Sequence, residues 1–131
     1  MTLQEFLKQS ESVKKITKKV VVGDRFVDEN GKDMPFKIKT INANKHDKIR
    51  SEAAKGEYFK ASEYNTKMVA EGCVYPNFKD TESIKSRGLH TPEELVRDVL
   101  LPGEIDILSL EIQKLCGYNV SINDLIEEAK N

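Results

Sequence analysis

The side chains best suited to acid–base or metal chemistry are two histidines and two cysteines, and their spacing does not favour a reaction. His46 and His90 lie 44 residues apart among polar neighbours, which predicts ordinary surface histidines rather than general bases or metal ligands. Cys73 and Cys116 lie among apolar residues in or near predicted helices, which favours small buried side chains. These four residues therefore favour neither a redox pair nor a metal centre, and a disulfide between the two cysteines is possible only if the fold brings them together.

Paired carboxylates are the other group that could perform acid–base catalysis. Glu93–Glu94 and Glu127–Glu128 fall at predicted helix starts or on outer helix faces, where they suit the helix dipole and solubility. The sequence also lacks a phosphate-binding glycine loop, a dinucleotide-binding glycine pattern, and the HExxH, CxxC and GxSxG motifs. We therefore predict a non-catalytic binding protein that uses no cofactor.

The composition is typical of one soluble globular domain. The 131 residues are 38% hydrophobic and 33% charged. A chain of this length buries roughly two thirds of the surface that its unfolded form exposes, which is sufficient without metal or disulfide. No apolar run approaches the roughly 18 residues of a membrane span, and the N-terminus carries no export signal. The expected location is therefore the cytoplasm, with no membrane partner.

Charge is unevenly distributed along the chain. Residues 1–60 contain 14 Lys or Arg and 9 Asp or Glu, a balance of +5, whereas residues 61–131 contain 7 and 13, a balance of −6. The densest basic patch consists of four lysines, Lys14, Lys15, Lys18 and Lys19. The patch has no interleaved aromatic residues, so it is predicted to be a solvated arm rather than a nucleic-acid site. The asymmetry is also compatible with a homo-oligomer in which basic and acidic halves meet.

The elements that must position any site centre on a helix from Pro102 to Gly117. Proline suits the first helical position, and glycine suits the left-handed residue that closes a helix. Apolar residues at three- and four-residue steps predict one stripe that faces the core: Ile105, Leu108, Ile112 and Leu115. The polar residues left for solvent are Glu104, Glu111 and Lys114. Ile107 and Leu110 fall off the stripe, so we predict that a second neighbour contacts this helix from another side.

Other helices are marked by their capping residues. Capping boxes at Thr2–Glu5 and Thr91–Glu94 predict helices that begin there, and a last helix is predicted to begin near Ser121. Helices between them are predicted to begin at Asn42 or Asn44, at Ser62 and near Asp80, and to end at Gly56, Gly72 and Gly88. The last helix, the helix after Thr91 and the central helix are expected to share one core.

Two strand-like runs, Val20–Val27 and Met34–Ile41, predict a β-hairpin. A two-residue turn at Asn30–Gly31 would split the apolar residues between the two faces of the hairpin. A three-residue loop with Gly31 in the left-handed conformation pairs Asp28 with Lys32 instead. We prefer this register because it places six apolar residues on one face: Val20, Val22, Phe26, Met34, Phe36 and Ile38. Tyr58 to Lys60 is a candidate third strand, since a two-stranded hairpin alone is marginal in water.

The predicted fold class is therefore α+β. A mainly helical single domain, residues 1–131, carries an N-terminal β-hairpin packed on a helical C-terminal half. Its predicted parts are an N-terminal helix at 1–9, a polar arm at 10–19, the hairpin at 20–41 and a helical part at 42–131.

Several segments of the chain together resemble one known family. They are TLQEFL at Thr2–Leu7, the hairpin sequence VVVGDRFVDENGKDMPFKIKTI at Val20–Ile41, VYPNF at Val74–Phe78, LL-x-GE at Leu100–Glu104 and IQKLCGYN at Ile112–Asn119. In this order they resemble the XkdN-like tail assembly chaperones of PBSX-type prophages and related contractile-tailed phages. The resemblance extends from about Thr2 to Ile126 and rests on pattern and order.

The resemblance implies a small protein that binds the tape measure protein, prevents its long apolar helices from aggregating and helps to recruit tail tube subunits. Such a protein acts in the cytoplasm of the bacterial host and leaves before the particle is complete. The resemblance implies no catalytic residues in this chain, because the family has none. Two other functions stay open from the sequence, namely a structural tail component that is retained in the particle and a small nucleic-acid-binding regulator.

A chaperone for amphipathic helices needs apolar surface that it can offer to its partner. Our candidate partner-binding residues lie on the hairpin and on the central helix: Phe26, Phe36, Ile38, Leu108, Ile112 and Leu115. The competing interpretation is that all six are core residues.

Overall fold

The computed structural model describes residues 1–9 and 16–118, and these form six helices and five short strands. The helices are α1 (Leu3–Gln9), α2 (Ala43–Ala53), α3 (Ala61–Gly72), α4 (Thr81–Ser86), α5 (Pro92–Val99) and α6 (Pro102–Leu115). The strands are β1 (Thr17–Val20), β2 (Phe36–Lys39), β3 (Ala54–Lys55), β4 (Tyr58–Phe59) and β5 (Cys73–Tyr75). One antiparallel sheet has the order β1-β2-β5, and β3 pairs with β4 separately. The α+β class is confirmed.

Side-chain caps begin several helices where the sequence predicted them, but α3, predicted to begin at Ser62, begins at Ala61 without a side-chain cap. The side-chain oxygens of Asn42, Asp80 and Thr91 each accept a hydrogen bond from the backbone N–H three residues later, at 2.9, 3.3 and 3.1 Å. Helix α6 begins at Pro102, and Gly117 follows its end with a φ of +97°. The predicted last helix near Ser121, and with it the predicted three-helix core, lies outside the described residues.

The hairpin has the predicted tip but not the predicted strands. Gly31 has a φ of +76°, and the Asp28 N–H donates to the Lys32 carbonyl at 2.8 Å, as a three-residue loop requires. Strand β1, however, covers Thr17–Val20 rather than Val20–Val27, and Val20 lies opposite Phe36. The tip register would have placed Val20 opposite residue 40, so the strand is shifted by four residues.

The shift has a physical cause in the segment between Val20 and Phe26. Arg25 reaches across to α6, where it binds Glu104, and to α5, where its Nη2 donates to the Val99 carbonyl at 2.7 Å. These bonds hold residues 21–25 out of the ladder. As a further consequence, residues 17–19 of the predicted polar arm are strand residues, while residues 10–15 of that arm lie outside the described part. Met34, predicted to face the core, is exposed.

The third strand of the hairpin sheet is β5, not the predicted Tyr58–Lys60 segment. Ile38 and Cys73 lie opposite each other in β2 and β5, and both are buried. Tyr58 and Phe59 pair with Ala54 and Lys55 instead, across a turn in which Gly56 has a φ of +62°. Gly56 was predicted to end α2. The local pairing closes a much shorter loop than a return to the hairpin would, so its entropic cost is lower.

The core lies between the inner face of the three-stranded sheet and helices α3 and α6. Its largest fully buried apolar side chains are Ile38, Met68, Val69, Val96, Leu108 and Ile112. Helices α3 and α6 pack closely because Gly72 at the end of α3 faces the side chain of Ile112. The sheet, α3 and α6 thus fix the position of α6, which carries the candidate site.

One prediction for α6 is wrong, and a second is not met within the described residues. Glu104, predicted to face solvent, is buried and forms an ion pair with Arg25, in which Glu104 Oε1 lies 2.6 Å from Nη2. Ile107 and Leu110 were predicted to be covered by a second neighbour, but they are 45% and 51% exposed. Within the described residues, α6 is therefore contacted on one side only.

Candidate functional site

The outer face of α6 is the candidate site, and it follows from the helical spacing of the sequence. Leu108 and Ile112 point into the core, so Ile107 and Leu110, roughly opposite them on a helix of 3.6 residues per turn, point outward. We call Ile107 and Leu110 the outer strip. A partner can contact these two exposed apolar side chains without any change in the fold of the chain.

Two ion pairs lie along one side of α6, between its inner and outer faces. Arg25 binds Glu104 with Nη2 and Nε at 2.6 and 3.0 Å, and Lys18 Nζ lies 3.1 Å from Glu111 Oε2. The Arg25 guanidinium holds the pKa of the Glu104 carboxyl below its usual range, and Lys18 does the same for Glu111. Both carboxylates therefore stay ionised at neutral pH, and they form a charged border between the core and the outer strip.

The six residues predicted to bind a partner lie mostly inside the molecule. Phe36, Ile38, Leu108 and Ile112 are buried, and Phe26 and Leu115 are half-buried at the edge of the core. A partner would reach the four buried side chains only if the core opened. As partner contacts, the six residues stay a prediction.

Other exposed apolar groups lie apart from the outer strip. Helix α1 has no buried residue, and Leu3, Phe6 and Leu7 are all exposed on it. Tyr58 and Phe59 are exposed on β4. The chain therefore presents apolar side chains from several separate elements.

His46 is not the surface residue that was predicted. It is buried, its Nε2 lies 2.7 Å from the Tyr64 hydroxyl, and its ring lies 5.3 Å from the Tyr118 ring. Burial, followed by the nearby Arg50 charge, lowers the pKa of His46, so the imidazole is neutral at neutral pH. The sequence contained a signal for this position, because His46 shares a helix face with Ile49 and Ala53 at spacings of three and seven residues. The contacts join α2, α3 and the end of α6, which is a structural role.

Cys73 and Lys67 are held in unreactive protonation states. Burial raises the pKa of the Cys73 thiol to about 12, so it is protonated rather than nucleophilic. Both cysteines are free thiols. Lys67 lies in an open groove of about 690 Å³ between α2, α3 and α5, 2.9 Å from Glu52 and 3.6 Å from Glu93. The hydrogen bond to Glu52 raises the pKa of Lys67, which keeps it a cation.

The residues that the structure describes contain neither a cluster of metal ligands nor a membrane-spanning helix. No three or more His, Cys, Asp or Glu side chains among them are grouped so that they could hold a metal ion. No helix among them has the length and the apolar character that crossing a bilayer requires.

Comparison with known proteins adds a family and a fold. The model of the family described as phage XkdN-like tail assembly chaperone protein matches residues 3–130. Protein YqbN of Bacillus subtilis (strain 168) is 28% identical over 122 residues, which cover 86% of this chain and 82% of YqbN. The phage-like element PBSX protein XkdN of the same strain is 26% identical over 123 residues, covering 86% and 83%.

A crystal structure of the protein YqbN has the same fold. It superposes with a TM-score of 0.73 at 22% sequence identity, and the match covers 91% of this chain and 99% of that chain.

Proposed function

The chain belongs to the phage XkdN-like tail assembly chaperone family, and on this premise we propose that it binds the tape measure protein during tail assembly. In this proposal it shields apolar helices of the tape measure protein until tube subunits surround them. It acts in the cytoplasm of the bacterial host, without catalysis, and the tail tube protein is its second partner.

The observation that carries this proposal is the outer strip. A long amphipathic helix needs a partner that covers its apolar face, and helical recognition of this kind reads residues at spacings of three and four. Ile107 and Leu110 have this spacing, and both are about half exposed on a helix whose other face is fixed in the core. A client helix could therefore pack on α6 without unfolding the chaperone.

The experiment is co-expression with the tape measure protein of the same phage, followed by affinity capture and an assay of the solubility of the partner. The wild-type chain is expected to capture the tape measure protein and to keep it soluble. The variant Ile107→Ser/Leu110→Ser is expected to lose capture, while its free energy of unfolding changes by less than about 0.5 kcal/mol per substitution because both side chains are exposed.

The matched control is Tyr58→Ser/Phe59→Ser, which removes two exposed apolar side chains from β4. It should capture the partner as the wild type does. If the wild-type chain captures nothing and is instead recovered in finished particles, it is a retained tail component and the proposal is wrong. If both variants capture normally, the predicted residues on the hairpin and on the inner face of α6 become the next to test.

A further inference from the structure

The outer face of the three-stranded sheet carries two lysines in direct opposition. Lys19 of β1 lies opposite Lys37 of β2, and opposed residues of adjacent strands point to the same face. The next pair along the ladder, Val20 and Phe36, is buried, so Lys19 and Lys37 point away from the core. Both are exposed. Tyr75 of β5 lies opposite Lys37 on the other side and is 65% exposed. We call Lys19, Lys37 and Tyr75 the lysine face.

The ammonium groups of Lys19 and Lys37 have no counter-charge among residues 1–9 and 16–118. Lys19 and Lys37 make no ion pair or side-chain hydrogen bond within the part of the chain that the structure describes. Other lysines of this chain do find carboxylates, since Lys18 pairs with Glu111 and Lys67 with Glu52. Like charges directly opposite each other destabilise a sheet. The isolated chain therefore bears a small cost at this position.

Protection of the sheet edge does not explain both lysines. Lysine on an edge strand discourages unwanted strand pairing, and Lys19 lies on the edge strand β1. Lys37, however, lies on β2, the central strand, whose backbone is already paired on both sides. A neutral polar residue would serve there equally well without repulsion.

We propose that the lysine face binds an acidic polypeptide segment of a partner protein. Opposed residues on adjacent strands have Cβ atoms about 5 Å apart, so the two ammonium groups can flank one carboxylate and cancel their mutual repulsion. The exposed Tyr75 ring beside them offers apolar area together with a hydroxyl, a combination that is common at protein interfaces. The proposal does not depend on the outer strip, which lies on α6, on the opposite side of the sheet.

The chemistry favours a polypeptide over a nucleic acid. Surfaces that follow a phosphate backbone use many cations, commonly include arginine, and stack bases on several aromatic rings. The lysine face has two lysines, one tyrosine and no arginine, and Lys39, two residues further along the same side of β2, adds one more cation. Charge complementarity therefore favours a local cluster of carboxylates.

The test is titration of the full ¹⁵N-labelled chain with a short poly-glutamate peptide, monitored by NMR. Amide shifts are expected at Lys19, Lys37 and Tyr75, with an affinity that falls as salt increases. Lys19→Glu/Lys37→Glu should weaken binding at least about tenfold, since it converts attraction into repulsion. Lys19→Arg/Lys37→Arg keeps the charge and should bind as the wild type does.

The control Lys55→Glu/Lys85→Glu changes the net charge of the chain equally at exposed lysines elsewhere, so it should bind as the wild type does. Circular dichroism melts check that each variant is folded. Absence of binding to the wild type, or equal losses in the two charge-reversed variants, would overturn the proposal. So would tighter binding of a single-stranded oligonucleotide of equal charge at the same residues. A fall in the oligomeric mass of the chain upon Lys19→Glu/Lys37→Glu would show that a second copy occupies the face, which also contradicts the proposal.

Discussion

The inner and outer faces of α6 carry the same kind of side chain in opposite environments. Leu108 and Ile112 on the inner face are fully buried against the sheet and α3, whereas Ile107 and Leu110 on the outer face are about half exposed. The charged border of Glu104 and Glu111 separates them on one flank. Apolar periodicity therefore identifies a face that needs a partner, but not whether the chain itself supplies that partner.

The largest difference between the two faces of α6 is expected when leucine is replaced by alanine on each of them. Leu108→Ala removes a fully buried side chain and should lower the free energy of unfolding by about 2–5 kcal/mol, because it loses burial and leaves a cavity. Leu110→Ala, two residues away, should change it by less than about 0.5 kcal/mol. Urea unfolding of both variants measures the two effects. Similar losses at the two positions would mean that the outer strip is covered in solution.

A smaller loss of stability is expected from a substitution at Gly72, where α3 contacts the inner face of α6. A Cβ at Gly72 would lie 2.7 Å from Cδ1 and 2.9 Å from Cγ2 of Ile112, and Ile112 is fully buried. Gly72→Ala should therefore cost about 1–3 kcal/mol through overpacking. Gly72 does not have a positive φ, so the backbone itself accepts alanine.

A double-mutant cycle in urea identifies the cause of that loss. In an Ile112→Ala background the contacting atoms are absent, so Gly72→Ala should cost less there than in the wild type. An equal cost in both backgrounds would contradict the close approach of α3 and α6.

The family, the fold class and most helix starts could be predicted from the sequence because they depend on local signals. Thr91, Asn42 and Pro102 mark helix starts by their own chemistry, and Gly31 marks the hairpin tip by its left-handed conformation. The resemblance to XkdN-like chaperones, drawn from short segments in order, is confirmed by the family match over residues 3–130.

The wrong predictions all depend on contacts between residues that are far apart in the sequence. Arg25 and Glu104 are 79 residues apart, and their ion pair both buries Glu104 and removes residues 21–25 from the hairpin. Likewise, β5 joins the sheet through Cys73, far along the chain from Ile38. Of the candidate site, the sequence identified Ile107 and Leu110 as a separate apolar strip, but their exposure depends on what the fold places beside them.

A pH-dependent effect on stability is expected at the charged border between the two faces of α6. Arg25 lowers the pKa of Glu104 in the folded chain, so the folded state binds that proton less readily than the unfolded state does. The resulting stability is present above the ordinary glutamate pKa of about 4.3 and is lost as the pH falls through the lower folded value. Glu104→Gln removes this charge while keeping the size of the side chain.

Glu104→Gln should therefore be less stable than the wild type at neutral pH, by less than the loss caused by Leu108→Ala. The gap between the two proteins should narrow as the pH falls below the ordinary glutamate pKa, where the unfolded carboxyl binds a proton, and should close below the lower folded value, where the folded carboxyl is neutral too. Other carboxyls with lowered pKa values, such as Glu111 and Glu52, titrate in both proteins and cancel in the comparison. Urea midpoints recorded across acidic pH measure the gap. If the difference in stability persists unchanged at low pH, Glu104 stabilises the fold through packing or through the hydrogen bond from the Leu101 N–H. The ion pair with Arg25 is then not the cause.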